Sequence, residues 1–152
     1  MKSKTTYLFL IGILIWNLVA CYGNGKVSEN DNNPLIVPVL KVGDQAFVVT
    51  DLEKMSQVES SFADVVYIGV PVTELLAAAK ISLEDVKVIK AVALDGYTMN
   101  YEPSQLEKED IIVAYSQKDG PLASEDGNFR MVFPGEAGSM NLRMLIELRP
   151  VE

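Results

Sequence analysis

The chain has 152 residues, with 13 Lys and Arg, 21 Asp and Glu, one Cys and no His. The absence of His excludes Ser-His-Asp and Cys-His catalysis and His-ligated zinc or haem, and one Cys makes neither an internal disulfide nor a four-cysteine metal site. A formal charge of −8 leaves nothing to neutralise a row of phosphates, which argues against nucleic acid as a partner, and 49% hydrophobic with 22% charged residues describes a globular chain of one domain.

Residues 1–20 read as a secretion signal. Lys2 and Lys4 form a short basic region, and Tyr7 to Trp16 is a nearly unbroken apolar run, too short to span a bilayer comfortably. The run leads into Leu18-Val19-Ala20-Cys21, which resembles the bacterial lipobox, where a small residue precedes a Cys that is lipidated and becomes the new N-terminus. The alternatives are an ordinary signal peptide in which Cys21 merely falls at this place, and an uncleaved anchor, which Asn17 and the short run disfavour. The resemblance implies a membrane attachment through Cys21 and a place in the bacterial cell envelope, facing the periplasm or the exterior. Cleavage removes two lysines and no acid, taking the net charge from −8 to −10, and the lipid consumes the only thiol. Residues 21–34, with the polar run YGNGKVSENDNNP, lack apolar periodicity and form a solvated tether with a reach of at most roughly 45 Å. Residues 35–152 are then the folded domain, long enough for one core.

Within that domain, Leu35–Leu40 and Ala46–Val49 are apolar runs split by Gly43-Asp44, a hairpin signature, with Pro38 marking an edge strand. Thr50 and Glu53 have capping-box spacing, opening a short helix through about Val58. Val65–Ile68 is a strand, Gly69-Val70-Pro71 a turn, and Thr73–Lys80 a helix with Leu75, Leu76 and Ala79 on its apolar face. Val86–Leu94 is the longest strand, followed by a turn at Asp95-Gly96 and an extended stretch at Met99 and Tyr101. Ser104 caps a single turn over Gln105–Lys108. Strands follow at Ile111–Ser116, Phe129–Phe133 and Leu142–Leu148, with a turn at Asp119-Gly120. The class is mixed α+β, dominated by strands, with short helices as connectors.

Four motifs stand in order along this stretch: Tyr67-Ile68-Gly69-Val70-Pro71-Val72-Thr73-Glu74-Leu75-Leu76; Asp95-Gly96-Tyr97; Ile112-Val113-Ala114-Tyr115 with Asp119-Gly120-Pro121-Leu122; and Gly127-Asn128-Phe129-Arg130-Met131-Val132-Phe133-Pro134-Gly135. Their order and spacing over Val65–Leu148 resemble the oxidoreductase molybdopterin-binding domain, the central fold of sulfite oxidases. The resemblance implies an anionic pterin dithiolene phosphate, with a Cys thiolate on molybdenum and cationic or N–H donors on the phosphate. The match is uneven. The family's metal Cys lies before the Gly-Val-Pro motif, where Asp51–Val66 offers only Ser56, Ser60 and Ser61. The family's Asp-His-Gly is Glu125-Asp126-Gly127, so a carboxylate stands where the family has its cofactor-facing His.

The family's basic positions match Arg130 and Arg143, the best remaining anion donors. Each also has a plain alternative, an ion pair with Glu125, Asp126 or Glu136. Asp95 and Tyr97 match pterin-side positions, although the turn alone explains them, with Asp95 bonding local amides and Tyr97 packing. Gly135, Gly138 and Ser139 form either an anion-facing loop or a mobile turn. Tyr67, Tyr101, Tyr115, Phe129 and Phe133 read as core, and the clusters Glu74/Glu84/Asp85 and Glu107/Glu109/Asp110 as solvated faces. The combined expectation is a lipid-anchored envelope protein with this fold, cofactor-free and not catalytic alone, binding a small anion or an envelope partner protein. The alternative is a molybdopterin-dependent oxidoreductase domain or subunit.

Overall fold

Among the described residues, two sheets gather ten strands, with three short helices, around a main core and a smaller cluster. The computed structural model describes residues 37–152; the expected signal, the lipidation at Cys21 and the tether lie outside the described residues. In chain order the elements are β1 (Leu40–Val42), β2 (Gln45–Phe47), α1 (Val49–Leu52), β3 (Val58–Phe62), β4 (Val65–Pro71), α2 (Val72–Ala78), β5 (Val88–Ala93), β6 (Thr98–Tyr101), α3 (Pro103–Leu106), β7 (Ile112–Gln117), β8 (Gly120–Pro121), β9 (Arg130–Val132) and β10 (Leu145–Val151). The first sheet has the order β2-β1-β10-β5-β6. The second runs β3-β4-β7-β8, and β9 also pairs with β7. This is the strand-dominated α+β arrangement the sequence implies.

The β1–β2 hairpin turns at Gly43-Asp44, as its sequence indicates. Pro38, however, precedes β1 rather than sitting in it, and β1 is no edge. It pairs antiparallel with β2 and parallel with β10, Lys41 against Glu147 and Val42 against Leu148. The helix after β2 is capped differently from the expected Thr50/Glu53 box. Val48 precedes the first turn, and its N–H donates to Asp51 Oδ2 at 3.2 Å, which holds the Asp51 carboxyl below its usual range. Val48 has no side-chain acceptor, so only half of a reciprocal cap forms. That single turn ends well before Val58, where β3 begins. Similarly, α3 starts at Pro103, whose missing N–H costs nothing in a first turn. Its cap is Gln105 Oε1, accepting from Glu102 N at 2.8 Å, and not Ser104.

Gly69-Val70-Pro71 is the largest departure from the sequence reading. These residues continue β4, and Gly69 faces Ala114 across β7, at a register shift after Ile68. A Cβ on Gly69 would lie 2.2 Å from the Val113 carbonyl oxygen and 2.7 Å from Ala114 Cα. Glycine is needed here for close strand approach, not for turning. The turn comes one step later, when Val72 opens α2 and buries Leu75 and Leu76.

The main core takes Leu40, Ile89, Ala91 and Leu148 from the first sheet, Val70, Val113 and Met131 from the second, and the inner face of α2. On β10 a bulge between Leu145 and Glu147 resets the alternation, so that Leu145 and Leu148, three apart, both point inward. A smaller cluster of Tyr67, Ile112, Ala114 and Val132 forms separately, with Phe62 packed on it.

The Gly69 contact makes a direct prediction. Gly69→Ala is expected to cost about 1–3 kcal/mol by forcing β4 and β7 apart, read as a lower urea midpoint. Gly138→Ala is the control. Its Cβ would meet nothing closer than Phe62 Cζ at 3.9 Å, and it is expected to leave the midpoint unchanged.

Candidate functional site

Arg130 opens β9 opposite Ala114 of β7, and that register carries its side chain toward Tyr67 and Phe62. The guanidinium is 1% exposed. Its carbon lies 4.5 Å from the Tyr67 ring centroid and 5.6 Å from that of Phe62, a stacked arrangement that suits a planar cation. Nη1 donates to Asp126 Oδ1 and to Tyr67 Oη, each at 2.7 Å. Nη2 and Nε reach the carbonyls of Asn141 and Met131 at 3.4 Å. Burying one unpaired charge is prohibitive, whereas a buried pair with its hydrogen bonds made is tolerated. Asp126, 2% exposed, is therefore what allows Arg130 to be inside.

Asp126 closes a 3-10 turn, Ser124–Asp126, and Gly127 follows at φ 72°. The Asp126 carbonyl accepts from Met144 N at 2.8 Å, and a Cβ on Gly127 would lie 2.9 Å from Met144 Cα. This close packing brings Arg143 beside the same carboxylate: its Nε is 3.3 Å from Asp126 Oδ1, while its side chain stays 55% exposed. The expected strand Leu142–Leu148 starts only at Leu145 because Leu142 and Met144 spend their backbone groups on Met131 and Asp126. Asn141 fixes the far wall. Its Oδ1 accepts from Phe133 N at 2.7 Å, and its Nδ2 donates to the carbonyls of Ala137 and Phe133 at 3.1 and 3.3 Å. The Pro134–Met140 loop is thus held at its base, and Tyr101 Oη ties Met140 O at 2.8 Å.

A cleft of about 320 Å³ opens between this loop and the β5–β6 turn. Asp95, Tyr97, Arg130 and Arg143, the four positions singled out from the sequence, all line it. Arg130 and Arg143 thus meet at one cleft, and both engage Asp126, the acid that stands in the His position. Asp95 Oδ1 accepts from Tyr97 N at 2.9 Å, closing the turn with Gly96 at φ 87°. Tyr97 does not pack as expected: it is 50% exposed, because the hairpin tip projects past the core. Gly138 and Ser139 line the cleft, and Gly135 does not. Tyr67 is buried in the core, as its sequence reads; sequence reasoning missed that its hydroxyl meets Arg130, and missed Asn141 and Phe62 altogether. The signal available for Tyr67 was a phenol in the first motif, and only the fold brings it to a cation 63 residues away.

The chain belongs to the family described as the oxidoreductase molybdopterin binding domain, whose model matches residues 16–152. Seventeen chains of solved structures match it. One is the sulfane dehydrogenase SoxCD from Paracoccus pantotrophus, with a TM-score of 0.64 and 18% identity, covering 75% of this chain and 38% of that one. That likeness shows the fold. No curated protein matches.

The residues present do not fit a molybdenum pterin. The chain's one Cys, Cys21, lies outside the described residues, and the chain has no His. Among the described residues no three His, Cys, Asp or Glu side chains are grouped to hold a metal ion. Of the serines before the Gly-Val-Pro motif, Ser60 is buried and donates to Asp110 O at 2.6 Å, and none lines the cleft. The buried guanidinium that would meet a phosphate is already neutralised by Asp126.

Two predictions follow from this chemistry. Asp126→Ala leaves Arg130 buried without its partner and is expected to cost about 3–5 kcal/mol, whereas Arg143→Ala, at a half-exposed pair, costs below about 1 kcal/mol; chemical denaturation compares the two. Burial also pushes the Tyr67 hydroxyl above the ordinary phenol value of 10.0, against the opposing pull of Arg130. A group raised in the folded state contributes stability that is complete below the unfolded value and lost as pH rises through the folded one. Wild type is therefore expected to lose more stability above pH 10 than Tyr67→Phe, in denaturation curves taken across that range.

Proposed function

We propose that this protein is a cofactor-free, lipid-anchored envelope module that keeps the molybdopterin-domain scaffold as a binding site and is not catalytic alone. The observation that carries the reading is the Asp126 carboxylate on Arg130 and Arg143. A fixed internal anion occupies the cations that a cofactor phosphate would need, in a domain with no thiolate for a metal. Fold and chemistry separate readily, since the scaffold is held by strand pairing and core packing, and neither needs the ligand. The anchor rests on the lipobox resemblance at Cys21, and the binding role on the cleft beside Arg143, open to a small anion or to a group presented by an envelope partner.

Family membership favours a second reading, a molybdopterin-dependent oxidoreductase domain or subunit whose metal ligand comes from elsewhere. Elemental analysis separates the two. The full chain, purified from cells that make the pterin cofactor, is expected to carry molybdenum far below one equivalent, and stoichiometric molybdenum would establish the second reading. In the same cells, Cys21→Ser is expected to abolish incorporation of labelled fatty acid and to move the protein out of the lipid-modified membrane fraction.

A further inference from the structure

We propose that the cleft at Arg143 binds a monoanionic organic acid, its carboxylate on the Arg143 guanidinium and its apolar body against Tyr97, Phe62 and Leu142. The inference rests on the cofactor-free reading and names the ligand class of that site. Arg130 and Arg143 are the cleft's two cations. Arg130 is committed to Asp126 and Tyr67. Arg143 approaches Asp126 through Nε at 3.3 Å, and its two terminal nitrogens form a fork of the shape that a carboxylate fills with two hydrogen bonds.

The upper limit on ligand charge comes from the acids. Asp126 lies against both guanidiniums, and Asp95 stands on the lip, so two carboxylates already balance two cations. A single carboxylate finds the terminal fork of Arg143. A dianion such as phosphate brings a further negative charge to the same place with no third cation to meet it, and Asp126 cannot withdraw without stranding Arg130.

The walls decide what the acid must carry. Phe62, Ala93 and Leu142 give the cleft apolar surface, and Tyr97 sets an aromatic ring at its mouth, half exposed, where its own turn has no use for it. A pocket of about 320 Å³ with apolar walls and one half-exposed guanidinium suits a small acid with an aromatic or aliphatic body.

Benzoate tests this directly. The full chain in detergent micelles is titrated with benzoate, and separately with inorganic phosphate at matched ionic strength, following the Arg143 Nε–H and Tyr97 amide signals by NMR. Saturable benzoate shifts at both groups are expected, with none from phosphate. Arg143→Gln, an exposed position whose fold is checked in the same spectra, is expected to weaken benzoate at least tenfold. Asp95→Asn, which keeps the turn's acceptor, is expected to tighten benzoate and to let phosphate bind. Phosphate binding wild type as tightly as benzoate does, benzoate affinity unchanged in Arg143→Gln, or no saturable benzoate shift would each overturn the inference. Stoichiometric molybdenum would sink the cofactor-free reading and this with it; metal-free protein indifferent to benzoate sinks this inference alone.

Discussion

A buried guanidinium is the constraint around which this domain is arranged. Arg130 sits on the face of the second sheet away from the main core, and a charge so placed must be met on every side. Tyr67 from β4 supplies an oxygen and a ring, Phe62 from β3 a second ring, Asp126 the countercharge and Asn141 a carbonyl. These groups come from three stretches of chain: the β3–β4 hairpin, the turn at Asp126 and the segment at Asn141. Each stretch is held by its own device: the bulge at Gly69, the 3-10 turn at Asp126, the Asn141 clamp. Loosening any of them would expose or strand the charge, so the loop geometry and the ion pair stabilise one another.

The family scaffold was legible in the sequence because motifs report backbone demands, and those survive a change of chemistry. Gly69, Asp95-Gly96 and Pro134-Gly135 all do backbone work, and together they specify the fold. What they do was less legible. Gly69 was read as part of a turn, yet its use is the missing Cβ, which only the partner strand reveals. The β3 strand escaped notice because its hairpin turns at Ala63-Asp64, both at positive φ with neither Gly nor Asn to announce it. Tyr97 was read as packed because aromatic residues usually are, and a hairpin tip that overshoots the core leaves it in solvent.

The candidate site was half visible for the same reason. Arg130, Asp95 and Tyr97 could be found because the motifs carry them, and Arg143 because it matches a basic position of the family. The pairing of the arginines was narrowed only to Glu125, Asp126 or Glu136; both take Asp126, and spacing alone does not predict which acid reaches which cation. The replacement at Asp126 was noticed as a carboxylate in place of the family's cofactor-facing His. Its larger role is as the internal counterion that keeps Arg130 folded in.

The parallel pairing of β1 with β10 has a bearing on how the chain reaches this state. Strand β10 lies between β1 and β5, and it is the last element to be made. Until Leu145–Val151 is available, the first sheet consists of two separate hairpins, β1–β2 and β5–β6, with no hydrogen-bonded link between them. The contact that joins them spans about a hundred residues and carries a loop-closure cost that no local turn offsets. Folding of the first sheet therefore waits on β10. A nascent or truncated copy exposes two sheet edges at once, and its final seven-residue strand closes both.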